Sequence, residues 1–111
     1  MESKRQQRIS RLLQKDLGEI FQHEAGSISR AAMITVTKVH VTRDLALSRV
    51  YLSIFGTEDK QALLEKIRDH KNEIKYKLGN RIRNQLRAVP ELEFYEDDSL
   101  DYIDNIDRLL K

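Results

Sequence analysis

Cysteine is absent from this 111-residue chain, which excludes disulfide staples, thiolate metal sites and cysteine nucleophiles and fits a reducing compartment. Tryptophan is absent too, and proline occurs once. The four glycines, Gly18, Gly26, Gly56 and Gly79, stand too far apart to build a glycine-rich phosphate loop. No apolar run approaches the roughly 18 residues of a membrane span. The opening MESKRQQRIS passes straight into an amphipathic pattern with no apolar signal region. His23, His40 and His70 are scattered, as surface or strand histidines are, and supply no catalytic constellation. The expectation is one soluble domain over 1–111, monomeric and cytoplasmic, with no membrane partner, metal or cofactor. Its length allows a single core that removes roughly two thirds of the unfolded chain's surface from water.

What is present is charge, unevenly placed. Residues 1–90 hold eighteen Lys and Arg against ten Asp and Glu, a net of +8, while residues 91–111 hold two against eight, a net of −6. The total of +2 therefore hides a basic body with an acidic end. A basic body calls for a polyanionic partner. The densest stretch, Lys71 to Arg87 (KNEIKYKLGNRIRNQLR), carries six cations and one acid, Glu73.

Hydrophobic spacing gives the order α-β-β-α-α-β-α. Ser3 and Gln6 form a capping-box pattern, and Ile9, Leu12, Leu13, Leu17, Ile20 and Phe21 continue it as a helix over 3–24. Two β-rich runs, 33–42 and 47–55, flank a short Arg43-Asp44-Leu45-Ala46 connection, which predicts a hairpin. Ile34 and Val36 alternate in one phase and Val39 and Val41 in the other, so a β-bulge near Thr37-Lys38 is expected. In the second strand Val50, Leu52 and Ile54 read as buried, and Arg49, Tyr51 and Ser53 as wet. Thr57 is placed to cap a second helix whose stripe is Ala62, Leu63 and Ile67. The pattern breaks at Asp69–Asn72 and restarts as a third helix with Ile74, Leu78, Ile82 and Leu86, ending before Val89-Pro90. Leu92 and Phe94 mark a third strand, and Leu100, Ile103, Ile106 and Leu110 a last short helix.

Two helix faces carry the candidate chemistry. At 100° per residue Lys4, Arg8, Arg11 and Lys15 cluster opposite the apolar stripe of the first helix, with Arg5 beside them. Cations in a first turn oppose the macrodipole at a few tenths of a kcal/mol each, which fits a surface completed by an anion. On the third helix Tyr76, Asn80, Arg83 and Arg87 point away from the apolar side, with Lys77, Arg81 and Asn84 adjacent. Guanidinium groups pair with phosphate and a phenol ring stacks on an unpaired base, so this face suits RNA. The restart at 69–72 frees backbone N–H groups near Lys71 and Lys75, a phosphate cradle or an ordinary helix connection. Asp97, Asp98, Asp101 and Asp104 read as caps and solubilising charge rather than a Mg²⁺ site.

Three segments together resemble the ribosome-binding factor A family: RQQRISRLLQKDLGEI over 5–20, the paired-strand block 34–56, and VPELEFYEDDS over 89–99. The resemblance implies an α+β, KH-like type II fold, α-β-β-α-α-β with a short C-terminal helix, its three-stranded sheet packed against the first and third helices. It implies a non-catalytic RNA-binding assembly factor of the small (30S) ribosomal subunit. Such a factor assists late 16S rRNA maturation, including 5′-end processing, with a role in cold adaptation. Where the family carries an Ala-x-Gly kink between helices, this chain reads Asn72-Glu73-Ile74. The candidate RNA contacts are Arg5, Arg8, Arg11, Lys15, Arg43, Lys71, Lys75, Arg81, Arg83 and Arg87. The alternatives are a protein–protein interaction module without direct RNA contact and, with least support, a metal-dependent nuclease.

Overall fold

The computed structural model of the protein describes residues 3–24 and 33–97. Six elements follow in order: α1 (Lys4–Glu24), β1 (Met33–Val41), β2 (Leu47–Phe55), α2 (Lys60–Asp69), α3 (Lys71–Ile82) and β3 (Glu91–Glu96). The final helix expected over 100–110 lies outside the described residues, as do Asp98, Asp101 and Asp104.

The start of α1 is a reciprocal capping box. Gln6 N–H donates to Ser3 Oγ at 3.1 Å, and Ser3 N–H donates to Gln6 Oε1 at 2.9 Å. Gln6 is itself buried, and its Nε2 donates to the Val41 carbonyl at 3.0 Å. One side chain thus ends the helix and pins that end beside the last residue of β1. From there Ile9, Leu13, Leu17, Ile20 and Phe21 are buried as the spacing requires.

The sheet has the order β1-β2-β3, antiparallel between the first two strands and parallel between the last two. The expected bulge is present. Val36 pairs with Leu52 and Lys38 with Tyr51, so Thr37 has no opposite number. That extra residue shifts the side-chain phase, and Ile34, Val36, Val39 and Val41 all reach the buried face. Gln14 of α1 donates to the Thr37 carbonyl at 3.3 Å, a group the bulge takes out of the ladder. In the hairpin, Leu45 holds φ 62 while packing against the core. An L-residue in that left-handed region costs about 1 kcal/mol. Asp44 stabilises the turn, accepting from Ala46 N–H at 3.1 Å and from the Thr42 hydroxyl at 2.7 Å.

Four local expectations change. Ser53 is buried although it belongs to the face read as wet, because its small side chain sits between the larger Tyr51 and Phe55 of that face. The cap of α2 is Asp59, whose carboxylate accepts from Ala62 N–H at 3.0 Å, and Thr57 instead accepts from Asp59 N–H. Leu64 replaces Ala62 in the buried stripe, since Leu63, Ile67 and Leu64 share one side of the helix and Ala62 lies across from Leu64. The third helix stops at Ile82 rather than running through Leu86. Gln85 and Leu86 N–H groups both bond to the Ile82 carbonyl, and the chain turns there, with Leu86 half-buried against the core. Arg83 and Arg87 therefore lie on the connection to β3 and not on α3.

The break between α2 and α3 needs no glycine. His70 has φ −93 and ψ 11, within reach of any residue, and its N–H bonds to the Lys66 and Ile67 carbonyls at 3.2 and 3.0 Å. Its Nδ1 lies 2.8 Å from the Lys66 carbonyl oxygen as well. Gly79 on α3 has a packing cause: a Cβ there would meet Val89 Cγ2 at 3.3 Å. The helices cover one face of the sheet, α1 over β1 and α2 and α3 toward β3, and α1 packs on α3.

Candidate nucleic-acid interface

The structure sorts the ten candidate cations into two groups by whether a carboxylate already holds them. Arg5, Arg8, Arg11 and Lys15 are exposed along α1, and none of them forms an ion pair with a described residue. Arg5 and Arg8 share a cavity of about 350 Å³ with Gln85 and Leu86 of the α3–β3 connection. Arg83 and Arg87, both exposed, flank that pair in the chain. Arg43 is exposed in the hairpin two residues past Val41, the residue that Gln6 fastens to the start of α1. The cations of α1's first turns, the hairpin and the α3–β3 connection thus gather at one end of the molecule.

The other three are engaged internally. Lys75 forms a direct ion pair with Glu91, and Lys71 Nζ stands 4.0 Å from the same carboxylate. The Lys75 hydrogen bond, then its charge, with a further contribution from Lys71, hold the Glu91 carboxyl below its ordinary value. Arg81 crosses from α3 to α1, bonding Asp16 at 3.0 Å and pairing with Glu19. Beside the helix break, Arg68 donates to the Phe94 carbonyl from both Nε (3.3 Å) and Nη2 (2.9 Å). The surface near the break is therefore balanced by its own carboxylate and guanidinium bonds. The surface built on α1 is not balanced in this way by any described residue.

The acids that decide this division, Asp16, Glu19 and Glu91, escape sequence reasoning. Their one signal is position: Asp16 and Glu19 are the only acids in residues 3–20, with Asp16 off the basic face of α1 and Glu19 at its margin, one turn past Lys15. Tyr76 is exposed on α3 as its spacing indicates, near Asn72, Asn80 and Gly79. A second ring pair lies on the outer face of the sheet, where Tyr51 and Tyr95 stack at 5.6 Å and 29° with Lys38 Nζ 6.0 Å from the Tyr51 ring. Asp97 accepts from the Thr37 hydroxyl at 2.6 Å, a bond to the bulge. No group of three or more His, Cys, Asp or Glu at metal-binding distance occurs among the described residues, and no helix among them is long and apolar enough to cross a membrane.

Gly18 stands in the middle of α1, where glycine costs about 1 kcal/mol relative to alanine. Among the described residues, no atom outside the helix's own adjacent turns lies within 4 Å of the position its Cβ would take. Unlike Gly79, it is not required by a packed neighbour.

Comparison with known proteins agrees with this architecture. A family model described as ribosome-binding factor A matches residues 5–110. The ribosome-binding factor A of Flavobacterium psychrophilum is 49% identical over 112 residues, covering 99% of this chain and 85% of that protein. That of Christiangramia forsetii is 42% identical over 111 residues, with the same two coverages. The crystal structure of ribosome-binding factor A from Thermus thermophilus superposes with a TM-score of 0.68 at 24% identity, over 82% of this chain and 94% of that one. A homology model of the Thermus thermophilus factor, fitted into a cryo-EM map of its complex with the 30S subunit, gives 0.63 at 25% identity, over 78% and 89%. With a family model spanning nearly its whole length and full-length relatives above 40% identity, the chain belongs to the ribosome-binding factor A family.

Proposed function

We propose that this chain binds the small ribosomal subunit during assembly and stabilises one arrangement of its 16S rRNA late in maturation, without catalysing a reaction. The observation that carries the reading is the row Arg5, Arg8, Arg11 and Lys15, exposed and without ion pairs among the described residues. Arg43, Arg83 and Arg87 extend it at the start of α1. Cations displayed at helical spacing and left unpaired by the acids of the described residues are complementary to a phosphate backbone. The relative fitted in a complex with the 30S subunit supports that subunit as the polyanion. Lys71, Lys75 and Arg81 join the contact only where phosphate replaces Glu91, Asp16 or Glu19.

A protein that binds only the maturing conformation shifts the population toward it by its differential affinity for the two states. Holding one arrangement in this way presents the 16S 5′ end for trimming by a separate nuclease. It matters most in the cold, where non-native RNA pairings persist longest. The chain acts as a monomer in the cytoplasm, where its partner is assembled.

Sedimentation of the tagged protein with free small subunits, precursor particles and complete ribosomes tests the partner. Co-migration with precursor and free small subunits is the expected result, and exclusive co-migration with complete ribosomes overturns the assembly role. If six cations neutralise phosphates, the log–log dependence of affinity on salt has a slope near −4. A flat response, or undiminished binding by Arg8→Glu with Arg11→Glu, overturns the phosphate contact. Docking of another protein along β3 is the weaker reading, since Arg68 already occupies the Phe94 carbonyl on that strand.

A further inference from the structure

A cavity of about 910 Å³ lies between α1 and the edge strand β1. Its α1 wall is one helical stripe, Arg11, Lys15, Gly18 and Gln22, at spacings of four, three and four residues. Met33, left 68% exposed, supplies open apolar surface there, and Phe21 and Ile34, both core residues, contribute only their edges to the floor. Glycine at position 18 keeps the middle of this wall open at a cost in helix stability that no packed neighbour among the described residues demands. The one anion of the lining, Glu19, is paired with Arg81, so the cations on the rim are not cancelled.

Aromatic-sized apolar surface below, amide groups on the wall and uncancelled cations at the mouth match the parts of a nucleotide. We propose that this cavity takes one unpaired nucleotide of the bound RNA, its base against Met33 and the edges of Phe21 and Ile34 and its phosphates on Arg11 and Lys15. The size is within the roughly 300–1,000 Å³ span of ligand pockets. An already unpaired nucleotide is the fitting occupant because extruding one from a duplex carries an unstacking cost, which a single-stranded stretch avoids. The inference rests on the RNA-binding reading above and adds to it a recognition site for one single-stranded base, sharing Arg11 and Lys15 with the phosphate contacts of that row.

Gly18→Leu is the discriminating variant. It projects a branched side chain from the middle of the cavity's wall, changes no charge and replaces a poor helix former by a good one, so the folded protein melts a few degrees higher. The probes are precursor small subunits and a short single-stranded RNA carrying 2-aminopurine. Parent protein changes the 2-aminopurine fluorescence on binding. Gly18→Leu loses that change and binds the RNA about tenfold more weakly, the effect of one lost base contact, with the salt slope unaltered. Equal fluorescence change and equal affinity in the variant overturn the cavity site and leave the phosphate-contact reading standing. Failure of the parent itself to bind precursor subunits and RNA overturns that reading, and the cavity site with it.

Discussion

Lys75 of α3 reaches Glu91 at the start of β3 and forms a direct ion pair with it, while Lys71 stands 4.0 Å from the same carboxylate. Two of the cations that the sequence offers to RNA are thereby spent inside the protein. Glu91→Gln removes the carboxylate and keeps the shape. Released lysines add up to two phosphate contacts, so the salt slope of RNA binding steepens by about 1.4 at most. Titration of precursor rRNA at several salt concentrations measures it, and an unchanged slope shows that Lys71 and Lys75 stay away from the RNA.

The same pair sets a pH signature. Glu91 has its carboxyl pulled below the ordinary value of 4.5 chiefly by the Lys75 hydrogen bond. A folded-state value below the unfolded one means that the pair's stabilisation is complete above the unfolded value. It is lost as pH falls through the lowered one. Thermal melts from neutral pH downward should therefore converge: parent above Glu91→Gln at pH 7, the gap closing in acid. A gap that persists below the carboxylate range assigns the difference to packing instead.

Arg81 is a tie between helices. It bonds Asp16, which is largely shielded from water, and pairs with Glu19 on the same helix. Arg81→Gln should destabilise the protein by about 1 kcal/mol, the upper end for ion pairs near the surface. RNA affinity at neutral pH should change far less than in Arg8→Glu. Denaturant melts and binding titrations on the two variants separate the roles. Equal loss of binding in both makes Arg81 a phosphate contact despite its acidic partners.

Gln6 joins two structures that the sequence shows separately. Its amide completes the capping box with Ser3 and also donates to the Val41 carbonyl. Gln6→Ala removes the cap's return bond and leaves a buried carbonyl without its side-chain donor, a loss of about 1–3 kcal/mol. Gln6→Glu retains the cap acceptor but loses the donor to Val41. A comparable drop in melting temperature for both variants locates the main effect at Val41, and a small drop for Gln6→Glu locates it at the cap.

The contrast explains which features were legible. The bulge at Thr37 could be read because Val36 and Val39 lie in incompatible alternations, and only an extra residue reconciles them. The capping box was legible because its two partners lie three residues apart. The end of α3 was not, since Leu86 continues the spacing of Leu78 and Ile82. Periodicity reports which side chains are buried, and Leu86 is partly buried after the turn as it would have been on a longer helix. Basic faces could be read from single helices, whereas their neutralisation could not. Arg81 and Asp16 are 65 residues apart, and Lys75 and Glu91 belong to different elements, so the pairing exists only once the helices have packed.

The two helix glycines give a last test, because identical chemistry has opposite surroundings. Gly18→Ala meets no packed neighbour within 4 Å among the described residues and should gain about 1 kcal/mol from helix propensity alone. Gly79→Ala has the same intrinsic gain, but its new methyl lies 3.3 Å from Val89 Cγ2, closer than ordinary contact. Its gain should be reduced or reversed. Val89→Ala removes the opposing methyl, so Gly79→Ala should recover its helix gain in that background. The double-mutant cycle then shows a favourable coupling between positions 79 and 89, and none between 18 and 89. Denaturant melts of the variants measure both couplings. Additive behaviour at 79 and 89 would mean that the connection before β3 yields without cost, and that Gly79 is not held by its contact with Val89.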